Sequence, residues 1–438
     1  MIRFANANVV WVLALSIVLF TSDVYAQEDP LRGGSFLDRI INDSHLGNPE
    51  FTGEPYPEYE RLLRKGPVIR SYVGGGWCLL SYDAVIEALK DPRFSVDMRN
   101  SPNISRMQRM AYRGEKSMLD YPTLLNTDPP DHGRLRKLAR TGFLRKYVQS
   151  LEPRIRELTD ECLSTVQAKG QFDLVEALAR PLPAYLISEI LGVERDQRDR
   201  FRKLTERFLG NAGVIDFAAI RHANEAYAEI LDFMEAVVEK KRVNPSEDLI
   251  SALIAAEEDG EQLSAQELTT TCAILMIGGY ETTTRLIGNV VYLLLRHPDQ
   301  MRHLRENPEM SRKAIEETLR FEPPLQFVFR IAMEDMTFHG TRIKKHHTAI
   351  LVIAAANRDP VANDRPHEFD IRREQINHVA FGHGIHLCLG AELARLEGRL
   401  ALEMLLDRFP RMALHAETPR WEPGYAVRGL EELVLDVA

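Results

Sequence analysis

Residues 381–390 read Phe381-Gly382-His383-Gly384-Ile385-His386-Leu387-Cys388-Leu389-Gly390, and a helical run from Ala391 to Phe409 follows at once. A cysteine just ahead of a helix N-terminus faces unpaired backbone N–H groups and the positive end of the helix dipole, which together favour a thiolate. Gly384 and Gly390 permit backbone shapes closed to other residues. On these residues alone, Cys388 can be a nucleophile, a metal ligand or an inert core cysteine.

Upstream lies the longest helical pattern of the chain. Ser264-Ala265-Gln266-Glu267 is a capping box, with Leu263 and Leu268 placed as its hydrophobic staple. The pattern runs to His297, where Pro298 stops it, a span of about 33 residues or ~50 Å. Its middle reads Gly278-Gly279-Tyr280-Glu281-Thr282-Thr283-Thr284. Each glycine costs about 1 kcal/mol there, and the threonines add β-branched crowding. So weak a centre predicts either a local opening of the helix or close packing of a neighbour against the glycines. Further helices are expected over Leu151–Gln167 and residues 222–242, the latter stopped by Asn244-Pro245. Strand signals are short: Val68–Tyr72, Trp77–Ser81 and Met336–Ile343. With no internal repeat and no long linker, residues 35–438 are expected to form one domain.

Phe381, Gly384, His386, Cys388 and Gly390 fill every position of F-x-x-G-x-[HR]-x-C-x-G, and here the sequence resembles the cytochrome P-450 family. Gly279-Tyr280-Glu281-Thr282 resembles that family's A-G-x-[DE]-T motif, with Gly278 where alanine is usual. Glu317-Thr318-Leu319-Arg320 resembles its E-x-x-R. The same spacing recurs at Glu58 and Arg61, Glu239 and Arg242, and Glu392 and Arg395, so only its position between the other motifs singles it out. Asn357-Arg358-Asp359-Pro360, Phe369-Asp370 and Arg373 continue the family order. Asp128-Pro129-Pro130-Asp131-His132 with Arg136 resembles its haem-facing helix. The resemblance covers about residues 50–438 and is to the soluble bacterial branch.

The resemblance implies a mainly α fold, the cytochrome P-450 fold, with a small β region near the N-terminal part. It implies haem b, with Cys388 as the axial thiolate that pushes electron density onto iron. Phe381 and Gly384 shape the ligand loop. His132 and Arg136, four residues apart on one helix face, reach a propionate, and Arg330 and His386 match the remaining propionate contacts. Glu281 and Thr282 match the proton relay on the oxygen side. Glu317, Arg320 and Arg373 are expected to be structural, and Cys78, Cys162 and Cys272 to be core residues. The substrate pocket is expected among residues 100–124, 207–218, Ile274, Ile277, Leu325–Phe329 and Tyr425–Val427. The implied activity is insertion of one atom of dioxygen into a small, moderately apolar molecule. A flavin or nicotinamide domain does not fit beside this fold in 438 residues, so electrons are expected from a ferredoxin and its reductase. Arg134, Lys137, Arg140, Arg145 and Lys146 form the expected docking patch. A peroxide-driven peroxygenase and a haem-binding sensor without turnover are the other readings; the Glu281-Thr282 pair argues against the former.

Composition is that of an ordinary globular chain. Hydrophobic residues at 45% and charged residues at 27% exclude a disordered chain, and a net charge of −9 argues against a nucleic-acid binder. The 4 cysteines form no C-x-x-C pair, which disfavours a zinc ribbon and a disulfide framework. Residues 1–26 differ from the rest. Val9–Phe20 (VVWVLALSIVLF) is apolar, Arg3 and Asp23 are the only charges, and Val24-Tyr25-Ala26 offers a cleavage-like site. The run is short for a membrane span of ~20 residues. No twin arginine is present, and export unfolded would separate the chain from haem and an intracellular donor. The cytoplasm is therefore expected, with membrane contact only through residues 9–20 and the leader unexplained or a weak anchor.

Overall fold

The computed structural model describes residues 54–71, 76–102, 105, 118–166, 170–210, 217–256, 262–416, 419–422 and 426–438. The signal-like segment lies outside them. Strands β1 (Val68–Ser71), β2 (Gly76–Leu79), β3 (Phe94–Ser95), β4 (Gly170–Asp173), β5 (Val328–Ala332), β6 (Met336–Phe338), β7 (Thr341–Ile343), β8 (Thr348–Leu351), β9 (Met412–Leu414) and β10 (Val434–Val437) are short. The largest sheet has the order β1-β2-β8-β5-β3, with β2 and β8 parallel and the other pairs antiparallel. A second sheet has the order β4-β10-β9. The β region is therefore not confined to the N-terminal part. Both sheets recruit strands from distant segments, which local pattern does not reveal because β8 is buried along its whole length and shows no alternation. The expected strand over Met336–Ile343 is instead the β6–β7 hairpin. His339 (φ 45°) and Gly340 (φ 77°) reverse the chain there, the left-handed pair that suits a tight hairpin turn.

Helices make up most of the rest: α1 (Tyr56–Leu63), α2 (Tyr82–Lys90), α3 (Asp131–Ala139), α4 (Arg145–Ser150), α5 (Glu152–Ser164), α6 (Pro181–Leu191) and α7 (Arg198–Leu209). They continue with α8 (Phe217–Val243), α9 (Leu249–Ala255), α10 (Ala265–Arg296), α11 (Pro298–Glu306), α12 (Ser311–Phe321), α13 (Ile353–Ala356) and α14 (Ala391–Arg408). The capping box of α10 forms as expected: Glu267 N–H donates to Ser264 Oγ at 3.2 Å, and Ser264 N–H donates to Glu267 Oε2 at 2.9 Å. Apolar residues at helical spacing (Leu268, Cys272, Met276, then Leu286, Val290, Leu294) bury α10 against α6, α8 and α14.

The centre of α10 does not open. The helix is continuous over Ala265–Arg296, and Thr282 Oγ1 donates back to Gly278 O at 3.1 Å. Tertiary packing on several sides offsets the poor local propensity. The two adjacent glycines at the centre have different surroundings. A Cβ on Gly279 would lie 2.9 Å from Ile187 Cγ1 of α6, so this glycine permits close packing; a Cβ on Gly278 would meet nothing within 4 Å.

Glu317 and Arg320 of α12 are fully buried and paired through both carboxylate oxygens, Nε to Oε2 at 2.8 Å and Nη2 to Oε1 at 2.7 Å. Arg373 Nε adds a bond to Glu317 Oε1 at 3.0 Å, and Asp370 N–H another at 2.9 Å. Spare guanidinium donors go to the carbonyls of Asn357, Pro366 and Glu368. Buried charge is tolerated here because its hydrogen-bonding valences are met. The network ties residues 357–373 to α12.

Candidate functional site

The cysteine loop is closed by its own backbone. Cys388 N–H donates to Phe381 O at 2.8 Å, and Leu387 N–H to Gly384 O at 3.2 Å. Gly384 has φ +71°, and a Cβ there would lie 2.8 Å from Leu89 O of α2, so both its angle and its neighbour require glycine. The Phe381 ring lies under the Arg395 guanidinium of α14 at 4.4 Å, a cation–π contact that seats the loop on its helix. Cys78, Cys162 and Cys272 are buried, whereas Cys388 is exposed. Protein nonetheless crowds round its sulfur. Desolvation therefore raises its thiol pKa; the Gly390 N–H, Arg136 and Arg395 act in the opposite direction and do not win. The thiolate expected from the helix terminus is thus not favoured by the protein alone. A coordinated cation is the usual means of removing such a proton.

Four basic groups gather beside this loop. His132 and Arg136 leave α3 one turn apart. The His132 and His386 rings have centroids 4.0 Å apart, and Arg136 Nη2 donates to Leu387 O at 2.6 Å. Arg330, buried on β5, donates to Phe329 O at 2.8 Å. Burial, with His132, Arg330 and Arg136 as like-charged neighbours, pushes His386 down to about 3. Burial pushes Arg330 down to about 10 and lowers His132 and Arg136 as well. Asp128 favours charge on His132 and Arg330, yet its own carboxylate is occupied by Ser95 Oγ and by Val96 N–H at 3.0 Å. His132 Nε2 is buried with no partner. Such a concentration of donors around an orphaned nitrogen is suited to an anion with several acceptor oxygens. Two carboxylates of a largely apolar ligand meet that description, and the exposed apolar side chains of Leu125, Phe329, Ile385 and Leu387 flank the cluster. The residues present fit haem.

Structure thus brings together His132, Arg136, Arg330, Phe381, Gly384, His386 and Cys388. Glu281 and Thr282 stand apart on α10. Gly278 is exposed in the middle of that helix, and Thr282 is half-buried one turn later. Burial raises the Glu281 carboxyl pKa, with Arg285 partly opposing it. Arg285 and its partner Glu422 escaped the sequence reading. The four-residue spacing from Glu281 was a usable signal for Arg285; no local signal pointed to Glu422. Arg395 was passed over as half of a chance E-x-x-R. Of the expected substrate pocket, residues 103–104, 106–117, 211–216 and Tyr425 lie outside the described residues; Ile274 is buried and Ile277 half-buried on α10. A separate cavity of about 540 Å³ opens between α1 and residues 355–367. Of its charged lining, Glu60 pairs with Arg64 and His367, while Arg358 donates to Phe321 O and Asp359 accepts from Tyr82 N–H; it holds none of the residues above.

Comparison with known proteins bears on this arrangement. Residues 53–421 match the Cytochrome P450 family. The chain is 40% identical over 403 residues to the cytochrome P450 monooxygenase PikC of Streptomyces venezuelae, covering 90% of this chain and 93% of that one. It is 38% identical over 368 residues to the vitamin D(3) 25-hydroxylase of Pseudonocardia autotrophica, covering 83% and 88%. The solved structure of the myxobacterial cytochrome P450 CYP267B1 in complex with myristic acid superposes with a TM-score of 0.83 at 34% identity, covering 90% and 98%. Loop, mainly α fold and relatives agree, and the chain belongs to the cytochrome P450 family: it is a haem b monooxygenase of the cysteine-thiolate type.

Proposed function

We propose that this chain hydroxylates or epoxidises a small, moderately apolar organic molecule, with electrons delivered by a separate ferredoxin and its reductase. The observation that supports the site assignment is the cluster of His132, Arg136, Arg330 and His386, with His132 Nε2 buried and unpartnered, beside Cys388. In this reading Cys388 is the axial ligand, and His132, Arg136, Arg330 and His386 hold the propionates. Phe381 and Gly384 keep the ligand loop closed. The haem supplies dioxygen binding and its reductive cleavage, assisted by electron donation from a thiolate. The protein's part on the other side is to hold and move protons. The Thr282 hydroxyl donates to Gly278 O, which leaves its lone pairs to accept from and order a water or protonated oxygen group on this side, and Glu281 would resupply the proton.

A vitamin D sterol and a fatty acid, named for two relatives, support the apolar substrate class. The test is turnover of myristic acid and a sterol panel under isotopically labelled dioxygen, with a ferredoxin system and catalase present. Label in the product supports the reading. In a parallel assay without catalase, product formed only when hydrogen peroxide is added would favour the peroxygenase, and haem binding without any electron consumption the sensor.

Arg140, Arg145 and Lys146 are exposed around the exposed Leu144 and Tyr147, and Lys137 is exposed on α3. Arg134 differs from the expectation: it is committed to Glu267 at the start of α10. The exposed positive charges of this surface suit an acidic partner, steered by a local field that opposes the net charge. Reversing Lys137 and Arg140 to glutamate is expected to slow reduction by about tenfold at low ionic strength and to flatten its salt dependence. Stopped-flow reduction rates check this; unchanged rates remove the surface from consideration.

Among the described residues no helix is long and apolar enough to cross a membrane. The proposed location is the cytoplasm, with one catalytic domain from about residue 35. N-terminal sequencing of native protein tests it, and a mature periplasmic chain beginning at Gln27 would overturn it.

A further inference from the structure

Arg285 leaves α10 one turn after Glu281, and both side chains are almost wholly buried. Its guanidinium is held by both oxygens of Glu422: Nη1 donates to Oε1 at 2.5 Å and Nη2 to Oε2. The same Nη2 reaches Glu281 Oε1 only at 3.3 Å. The arginine stem lies against Gly429, where a Cβ would sit 2.0 Å from Arg285 Cδ. Glu422 N–H donates to Gly429 O at 3.0 Å, so the turn that supplies the carboxylate also supplies the slot for the stem. From ahead of α6, Arg180 donates to Glu422 Oε1 at 3.1 Å and pairs with Glu176.

These contacts set a charge balance. The charged groups that act on Glu281 are Arg285 on its own helix and Glu422 from the C-terminal turn. Behind Glu422 stand Arg180 and Glu176, and beyond them Arg202 and Glu206 of α7, the latter also accepting from the Tyr280 hydroxyl. Three guanidinium cations and three carboxylates cancel, so buried Glu281 completes a neutral cluster only when it carries its proton. The geometry agrees, since the bidentate partner of Arg285 is Glu422 and the longer, single contact goes to Glu281.

We infer that Glu422 is a positioning residue for proton delivery: by claiming Arg285 it leaves Glu281 a neutral acid beside Thr282 rather than half of an ion pair. The inference rests on Glu281 being the proton carrier proposed above. Burial and Glu422 both act to keep the Glu281 proton, and Arg285 acts to remove it. Deleting the Glu422 charge leaves a net cation in the cluster, which Glu281 then balances by ionising.

The test follows the carboxyl directly. Infrared difference spectra of the holoenzyme across pH are compared with those of Glu281→Gln, so that the band lost in that variant reports Glu281. Glu397, fully buried and pushed up to about 8, contributes a separate protonated carboxyl that cancels in the difference. In Glu422→Gln the Glu281 band is expected to vanish at a pH lower by about one unit, a tenfold change in its ionisation. Glu422→Asp should move it less and in the same direction, and serves if the glutamine variant fails to bind haem. Adding Arg285→Gln to Glu422→Gln should move the band back upward. An unshifted band in a Glu422 variant with a normal carbon-monoxide spectrum overturns the inference. The reading beneath it fails separately: with myristic acid turnover, Glu281→Gln would then leave peroxide release per electron unchanged across pH.

Discussion

Cys388→Ser should abolish the thiolate-type band of the reduced carbon-monoxide complex and, with it, turnover. Serine preserves the loop, because the bonds that close it run through backbone atoms of Phe381, Gly384, Leu387 and Cys388. What it removes is a sulfur that loses its proton to a metal; an alcohol does so far less readily. No other cysteine is placed to replace it. Cys78, Cys162 and Cys272 are buried, and desolvation pushes each thiol up to about 12. Haem should still associate weakly, through the basic cluster that does not depend on the sulfur. His132→Ala is the complementary case, expected to loosen haem while preserving the band. Spectra of the reduced, carbon-monoxide-treated proteins decide the matter. A normal thiolate band in the serine variant would place a different cysteine on the iron.

Thr282→Ala should bind haem and substrate normally and accept the first electron at the ordinary rate, yet convert electrons to hydrogen peroxide instead of product. Neither binding nor the first reduction needs the hydroxyl. Controlled protonation does, and positioned acid–base assistance is typically worth ~100- to 10,000-fold, so product per reducing equivalent should fall by at least about tenfold. The hydroxyl is already oriented by Gly278 O at 3.1 Å, so Thr282→Ser is expected to retain much of the coupling. Product and peroxide are measured per electron with a compound shown to shift the haem absorption band. Equal coupling in wild type and Thr282→Ala would remove the relay from the mechanism and strengthen the peroxygenase reading.

Much of this protein can be read from local sequence. The capping box at Ser264, the stop at Pro298, the glycine-rich cysteine loop and the helix after it depend on contacts between residues a few positions apart, and all formed as local chemistry required. The residues gathered round Cys388 were also identifiable, because motif spacing carries them even where their neighbours in space are hundreds of residues away.

Other features were decided only when distant segments met. The repeated E-x-x-R spacing shows this well. Glu58–Arg61, Glu239–Arg242 and Glu392–Arg395 all form ion pairs at partly exposed sites, whereas Glu317–Arg320 is fully buried and joined by Arg373. Sequence spacing is the same in all four; burial and the third partner come from the packing of residues 357–373. Gly278 and Gly279 are adjacent and chemically identical, yet Ile187 of α6 lies against one and open space against the other. The clamp of Glu422 on Arg285 joins positions 137 residues apart. Local sequence determines which backbone groups can pair within a turn of helix or a loop. Which charges lose water, and which partners then share them, depends on the three-dimensional burial that only the completed fold sets.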